Sequence, residues 1–344
     1  MKVAIDATYQ RQPDGGIPRY ARHLTAALRA RGDIDVVEIG GGKREQRGTL
    51  RRRLVTLGTD LVWHPVIGRM RAAAIGAQVY HSPGLRGPLT RGQIPSVVTV
   101  HDLVPILYPE LASPWTRWYA NRTQRRMSVL ADIVICNSSD TANDVTRLFG
   151  VHADRIRVTP LGVDKIFFTP PRAPAQVSEP YVLFVGSEQP RKNLERLVGA
   201  MALLRARGFP HILVTAGADA WGRVEIDAGF VRRLGNVSDE QLVGLYAGAA
   251  CLAIPSLHEG FGLPALEAMA AGTAVVAGRV GALPDVTGGA AVLVDPLDPV
   301  DIADGLERAI TERDSFLARG RHRAAEFTWE RTAAMTADVY RELV

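Results

Sequence analysis

Short apolar runs bounded by turn residues recur along the chain, and stretches with a helical spacing of apolar positions lie between them. The runs at 2–7, 78–83, 96–103, 133–137 and 156–160 read as strands in the first half, and those at 181–185, 212–216, 230–235, 251–256, 274–277 and 291–294 in the second. Amphipathic stretches predict helices over 17–31, stopping at Gly32, over 114–130 and over 239–249, with further helices closing the chain. Strand and helix in alternation make a parallel sheet covered by helices, so the expected fold class is α/β. The pattern stops in a Pro-rich piece from Lys165 to Pro180 and starts again at Tyr181, and 344 residues suffice for two ordinary domains. We therefore expect an N-terminal domain over 1–165, a linker over 166–180, a C-terminal domain over 181–328, and a last helix over 329–344.

Charge changes this picture by separating the two halves. Up to Lys165 there are 24 Lys and Arg against 14 Asp and Glu, a net +10; the remainder holds 17 against 22, a net −5. Different partners are expected for the two halves. The basic stretch Lys43–Arg53 (KREQRGTLRRR) is either a solvated face or a surface for an anionic membrane or acceptor. It carries no aromatic residues among its cations, which argues against a nucleic-acid partner. Cys136 and Cys251 each lie inside an apolar run and read as small buried hydrophobes, in keeping with a reducing compartment. Met1 and Lys2 lead straight into the strand-like VAIDAT, and apolar runs stay shorter than a membrane span of about 18 residues. The expected location is cytoplasmic, with any membrane contact peripheral, on the inner face.

Candidate chemistry concentrates in SLHEGFGLPALEAMAAG, Ser256 to Gly272. It follows a strand-like run, and Pro264 suits the beginning of a helix. Gly260 and Gly262 let the loop adopt backbone angles closed to other residues, and a helix start offers a partial positive charge to an anion. Glu259 on the loop and Glu267 inside the helix would repel that anion, so a second kind of ligand group is needed. An ionised carboxylate accepts two hydrogen bonds from a vicinal diol, and a ligand with diols on both sides of a diphosphate is a nucleotide sugar. Three further places stand at strand ends or helix starts: Gly15-Gly16 before the first helix, His101-Asp102 at the end of the run at 96–103, and Gly186-Ser187-Glu188-Gln189-Pro190-Arg191-Lys192-Asn193 after the run at 181–185. Two adjacent cations at a helix start call for a compensating anion. The dinucleotide fingerprint and the phosphate loop with Gly-Lys-Ser/Thr are both absent, and Asp33-Ile34-Asp35 falls in a short surface turn, so no metal site is expected.

The string from Glu259 through Gly260, Phe261, Gly262, Leu263 and Pro264 to Glu267 closely resembles the signature of the retaining glycosyltransferases of family 4, which have the GT-B architecture of two Rossmann-like domains facing a cleft. The resemblance spans nearly the whole chain and is densest over 181–285. It implies that Glu259 contacts the donor sugar, that Glu267 contacts the ribose, and that the loop amides between them reach the sugar and diphosphate. It implies further that Gly186, Arg191 and Lys192 form the diphosphate-binding element, that the backbone near Val237 faces the nucleobase, and that Gly15 and Gly16 lie near the diphosphate and acceptor. T-V-H-D-L-V-P is similar to the mannosyl-transferring branch, in which the histidine, here His101, touches the donor sugar and the aspartate, here Asp102, supports the acceptor side. The last helix resembles the one that returns to brace the first domain.

The implied activity is transfer of a sugar, with mannose from GDP-mannose favoured, to a glycan or lipid-linked acceptor, with retention and without a metal or other cofactor. A UDP- or dTDP-sugar donor and a sugar-nucleotide epimerase of the same architecture are the alternatives. A non-catalytic basic binding module would not need Arg191, Lys192 and Glu259 together, and a phosphorylase would need a pyridoxal-bearing lysine, for which none of the few lysines beyond Lys192 is well placed.

Overall fold

The computed structural model describes residues 1–11, 15–40, 58–112, 114–169, 177–217 and 228–344. The basic stretch Lys43–Arg53 and the middle of the expected linker lie outside the described residues. The chain divides into two units, Met1–Gly162 with Trp329–Val344, and Val163–Thr328. Each is built on a six-stranded parallel sheet.

In the first unit the strands are β1 (Lys2–Asp6), β2 (Asp35–Ile39), β3 (Val79–Ser82), β4 (Ser96–Val100), β5 (Ile133–Cys136) and β6 (Ile156–Val158), in the order β2-β1-β3-β4-β5-β6. The inner strands read as continuous apolar runs because helices cover both faces of the sheet, and every residue of β3, β4 and β5 is buried. The second unit has β7 (Tyr181–Val185), β8 (Ile212–Ala216), β9 (Val231–Arg233), β10 (Cys251–Ile254), β11 (Val275–Gly278) and β12 (Val292–Val294), in the order β12-β11-β10-β7-β8-β9. That is the doubly wound Rossmann order, with the direction of winding reversing between β7 and β10. Its core joins Val182, Phe184 and Val276 from the sheet to Leu197 and Met201 of helix Leu194–Ala206 and to Ile302 and Leu306 of helix Pro299–Thr311.

The expected α/β class with two Rossmann-like units is therefore observed. Helix Gly16–Arg31 ends at Gly32 in the left-handed conformation, φ 75°, as a glycine stop requires. Several expectations need correction. Helix 114–130 is interrupted by a wide π-type turn at Ala120–Gln124. A helical run from Thr59 to Ala74, unexpected from the sequence, opens with a wide π-type segment over Thr59–Ile67 that contains Pro65. Proline removes one backbone donor there, and the widened turn accommodates the loss. The expected linker begins in structure: Lys165–Phe168 form one 3-10 turn, and Phe167 packs edge-on against Tyr246 with centroids 5.8 Å apart.

Helix Trp329–Arg341 packs in the first unit. Trp329 stacks on His23 at 4.9 Å, Thr332 donates to the Pro160 carbonyl at 2.7 Å, and Glu342, just beyond the helix, pairs with Arg157 at 2.6 Å. Both cysteines are buried thiols. No helix among the described residues is long and apolar enough to cross a membrane.

Candidate active site

In an open parallel sheet, ligands bind outside the carboxyl ends of the strands where the winding reverses. In the second unit that place lies at the ends of β7 and β10. The segment Gly186–Lys192 leaves β7, and Ser256–Glu259 follows β10. Pro190–Lys192 make a 3-10 turn that folds back so that Leu257 N–H donates to the Arg191 carbonyl at 2.8 Å. Asn193 locks the junction. It adopts φ 61°, uncommon outside glycine, and its buried amide donates to the carbonyls of Pro255 (2.9 Å) and Pro296 (2.6 Å), tying the end of β7 to the loops after β10 and β12.

This folding brings Arg191, Lys192 and Glu259 together. Lys192 Nζ lies 2.5 Å from Glu259 Oε1, Arg191 Nη1 lies 3.6 Å from Oε2, and Ser256 Oγ donates to Oε1 at 2.7 Å. Lys192 is 8% exposed and Glu259 6%. Burial alone would push the Glu259 carboxyl up; the Lys192 charge, then that of Arg191, and the hydrogen bonds from Lys192 and Ser256 outweigh it and hold it at about 2. Arg191 is oriented from the other side by the Gln189 side chain (3.1 Å) and the His258 carbonyl (3.3 Å). Two cations against one carboxylate leave the cluster with a positive charge, suited to an anion.

Gly262 precedes helix Leu263–Ala270, which starts one residue before Pro264, and its φ of 102° is closed to other side chains. Gly260 and Phe261 are buried, and the Phe261 ring points into the unit against Phe327, so its side chain serves packing. Glu267, on the buried face of the helix, accepts from Tyr246 Oη at 2.9 Å. Val237 is half-buried, immediately before the Ser238–Gln241 capping box that opens helix Asp239–Gly248. Gly186, with φ 145°, lies beside the Lys192 stem. Sequence reasoning included Ser256 and Asn193 in its strings without giving either a role, and it missed Gly281. A Cβ at Gly281 would come 2.3 Å from the Glu259 carbonyl, and Ala282 N–H donates to the same carbonyl, so the 281–282 turn presses the Glu259 loop into place.

In the first unit, Gly15 and Gly16 open helix Gly16–Arg31. Gly15 is extended, and a Cβ on Gly16 would meet open space, so packing does not demand glycine at 16. One turn into the helix, Tyr20 meets the His101 ring edge-on, centroids 4.7 Å apart. His101 Nε2 is bonded to the Pro83 carbonyl at 2.9 Å; burial lowers its pKa, against the Pro83 bond and the Asp102 charge. Asp102 Oδ1 accepts from Val104 N–H at 3.2 Å. Behind them runs a neutral chain that sequence reasoning missed: Tyr20 Oη and His81 Nε2 both meet Thr99 Oγ1, at 3.1 and 2.8 Å, and His81 Nδ1 meets Tyr340 Oη at 2.5 Å. Burial holds His81 at about 3, with His101 adding to the effect, so it stays uncharged at neutral pH. Asp33 of the Asp-x-Asp pair is held by Arg31 at 3.0 Å and by Arg341, and Asp35 faces Lys2 at 4.0 Å.

Two Rossmann-like units, the second with a cationic cluster and a glycine-rich helix start at its switch point, define the class of GT-B proteins. Profiles of two families match, "Glycosyl transferases group 1" over residues 179–312 and "Glycosyltransferase Family 4" over 14–165. The O-antigen chain mannosyltransferase B of Escherichia coli is 28% identical, with all of both chains covered. A D-inositol 3-phosphate glycosyltransferase of Saccharomonospora viridis is 34% identical over 76% of this chain and 68% of its own. Among solved structures, the sucrose-phosphate synthase of Thermosynechococcus elongatus superposes with a TM-score of 0.78 at 24% identity, covering 99% of this chain and 98% of its own. The chain belongs to glycosyltransferase family 4.

Proposed function

We propose that this glycosyltransferase moves mannose from GDP-mannose to a glycan or lipid-linked acceptor, with retention and without a metal ion. The observation that carries the transfer reading is the buried cluster of Arg191, Lys192 and Glu259 at the switch point of the second sheet. A donor diphosphate would complete its charge, with the helix start at Leu263 adding its dipole. Glu259 then accepts from the sugar hydroxyls, and Glu267, positioned by Tyr246, accepts from the ribose.

A carboxylate held at about 2 by two cations is a weak nucleophile, which supports front-face attack over a covalent intermediate. In that step the bond from the anomeric carbon to the diphosphate oxygen breaks while the acceptor oxygen bonds to the same carbon. The departing diphosphate takes the acceptor's proton, and Arg191 and Lys192 stabilise the charge it develops. His101, kept neutral, is available as a hydrogen-bonding group for the sugar, with Asp102 beside it on the acceptor side.

The choice of mannose is supported by the T-V-H-D-L-V-P context and by the Escherichia coli mannosyltransferase relative. A second reading takes a UDP- or dTDP-sugar donor and another acceptor; the higher identity to the enzyme whose name gives D-inositol 3-phosphate as its substrate favours the other acceptor. Mass spectrometry of products from a panel of GDP-, UDP- and dTDP-sugars, with free-sugar and lipid-phosphate acceptors, decides between them. GDP-mannose alone should yield product, with its anomeric configuration kept by NMR and its rate unaffected by chelator. Transfer from a UDP- or dTDP-sugar instead selects the second reading, and an altered nucleotide sugar formed without acceptor points to an epimerase.

A further inference from the structure

The first unit carries a surface to which the transfer step above assigns no role. In the helical run from Thr59 to Ala74 the buried positions include His64, Pro65, Arg69 and Ala72. Turned outward are Leu61, Val62, Val66, Ile67 and Met70, each between 41 and 65% exposed. Val62, Val66 and Met70 follow at intervals of four, on one side of the run. Helix Pro114–Tyr119 adjoins this stripe. Trp115 Nε1 donates to the buried Asp60 at 3.4 Å and the Trp115 ring stacks on Trp118, centroids 5.1 Å apart. Both indoles are exposed, at 37 and 45%. The same helical run continues to Leu130 and presents Arg117, Arg122, Arg125 and Arg126, all exposed.

Within 58–74 and 114–130 the exposed charges are all positive. Across residues 58–74 and 114–130 the single carboxylate is Asp60, which is buried and holds Arg86 at 2.9 Å. A cluster of large exposed apolar side chains marks an interaction surface, and here the chemistry narrows what it meets. Aliphatic side chains beside exposed indoles and arginines make up a face that rests in the headgroup region of a bilayer, where indoles favour the interface and guanidinium groups reach the phosphates. A second copy of the chain is a poor match, because a two-fold contact would bring both sets of arginines together without carboxylates to pair them.

We propose that this face, Leu61 to Met70 with Trp115 and Trp118 and the arginines of 117–126, seats the first unit on an anionic lipid bilayer. It deepens the acceptor side of the reading above, on which it rests only through the lipid carrier, and its test needs no substrate. Full-length protein is mixed, without nucleotide or acceptor, with phosphatidylglycerol-containing or pure phosphatidylcholine vesicles whose acyl chains are brominated to quench tryptophan.

Binding at about 50 mM salt should be at least about 10-fold tighter to the anionic vesicles, and should weaken steeply at about 500 mM as the Debye length shrinks. The chains should quench the native fluorescence. Val62→Ser/Val66→Ser/Met70→Ser should weaken partitioning by at least about 10-fold, because three apolar side chains no longer leave water. Arg122→Ser/Arg126→Ser should remove much of the salt dependence. Nucleotide binding and transfer to a water-soluble acceptor should be unchanged in the triple variant, which shows that it is folded; failure of transfer in wild type would sink the transferase reading while leaving the vesicle result intact. Binding indifferent to lipid charge, no quenching, or wild-type partitioning by the triple variant would overturn the proposal. So would a concentration-dependent dimer, seen by sedimentation, that the triple variant disperses, since the face would then belong to a second copy.

Discussion

The carboxyl edges of the two sheets bury polar groups in opposite ways. At the end of β7 and β10 the second unit uses full charges, with Glu259 set against Lys192 and Arg191. At the corresponding edge of the first unit, Tyr20, Thr99, His81 and Tyr340 form a chain of neutral hydrogen bonds. Asp6, at the end of β1, is the charged exception there, and its carboxylate is consumed internally by Thr8, Trp63, His64 and Tyr80. The contrast teaches what each edge is for. A cluster with one cation in excess holds a field ready for an anionic group, at the cost of desolvating its charges. A satisfied neutral network fixes geometry and leaves little field behind.

The sharpest way to break this comparison is to remove the charges. Arg191→Ala or Lys192→Ala should lower kcat about 100- to 1,000-fold, because each removes a donor at a developing oxyanion. Lys192→Ala also leaves Glu259 buried without its nearest partner, so its unfolding free energy should fall by about 3–5 kcal/mol. The double variant Lys192→Ala/Glu259→Gln should regain much of that stability while staying slow. Urea titration beside steady-state kinetics checks both, and a single variant that is slow only because it unfolds would remove the catalytic role.

A smaller effect separates the two glutamates. Glu267→Ala should weaken a nucleoside diphosphate by about 1.5–3 kcal/mol, the loss of a hydrogen bond to a charged group, whereas Glu259→Ala should chiefly weaken the intact sugar nucleotide. Calorimetry with both ligands on both variants reads the split, and equal losses throughout would cancel the assignment.

In the first unit, Tyr340→Phe leaves His81 Nδ1 without its hydroxyl partner and should cost about 1–3 kcal/mol of stability with nucleotide binding untouched. An unchanged unfolding midpoint would show that the chain of neutral bonds contributes nothing.

The gentlest test is pH. His81 sits at about 3 in the folded protein against an ordinary value near 6.5, so the unfolded chain binds the extra proton between those values. Its contribution is complete above about pH 6.5 and is lost as pH falls toward 3, with a slope of at most about 1.4 kcal/mol per pH unit. Glu259 is depressed to about 2, so its contribution is present above the ordinary carboxyl range near 4.5 and is lost only as pH falls from there toward 2. Between pH 6.5 and 5 the first unit should therefore weaken through His81, with buried His101 acting in the same direction, while the Glu259 cluster stays intact. Denaturant midpoints across that range, with His81→Gln as the variant expected to flatten the dependence, check the sign.

Much of this molecule was written in local pattern. Continuous apolar runs, the restart at Tyr181, the glycine stop at Gly32 and the string from Glu259 to Glu267 each follow from the backbone period and from glycine and proline geometry, which a few consecutive residues determine. Boundaries drifted by one to three residues because element ends fray and wide turns intrude, as at Ala120–Gln124.

Tertiary structure alone decided which strand ends are neighbours. A strand buried on both faces carries no mark of its partners, so the order that sets Lys192 against Glu259, 67 residues away, is invisible locally. For the same reason His81 gave no sign of its hydroxyl partner 259 residues further on. The run from Thr59 to Ala74 mixes apolar residues with Asp60, His64, Arg69 and Arg71, and which side stays exposed depends on where Asp6 captures His64 and Trp63, a choice made only when the sheet forms.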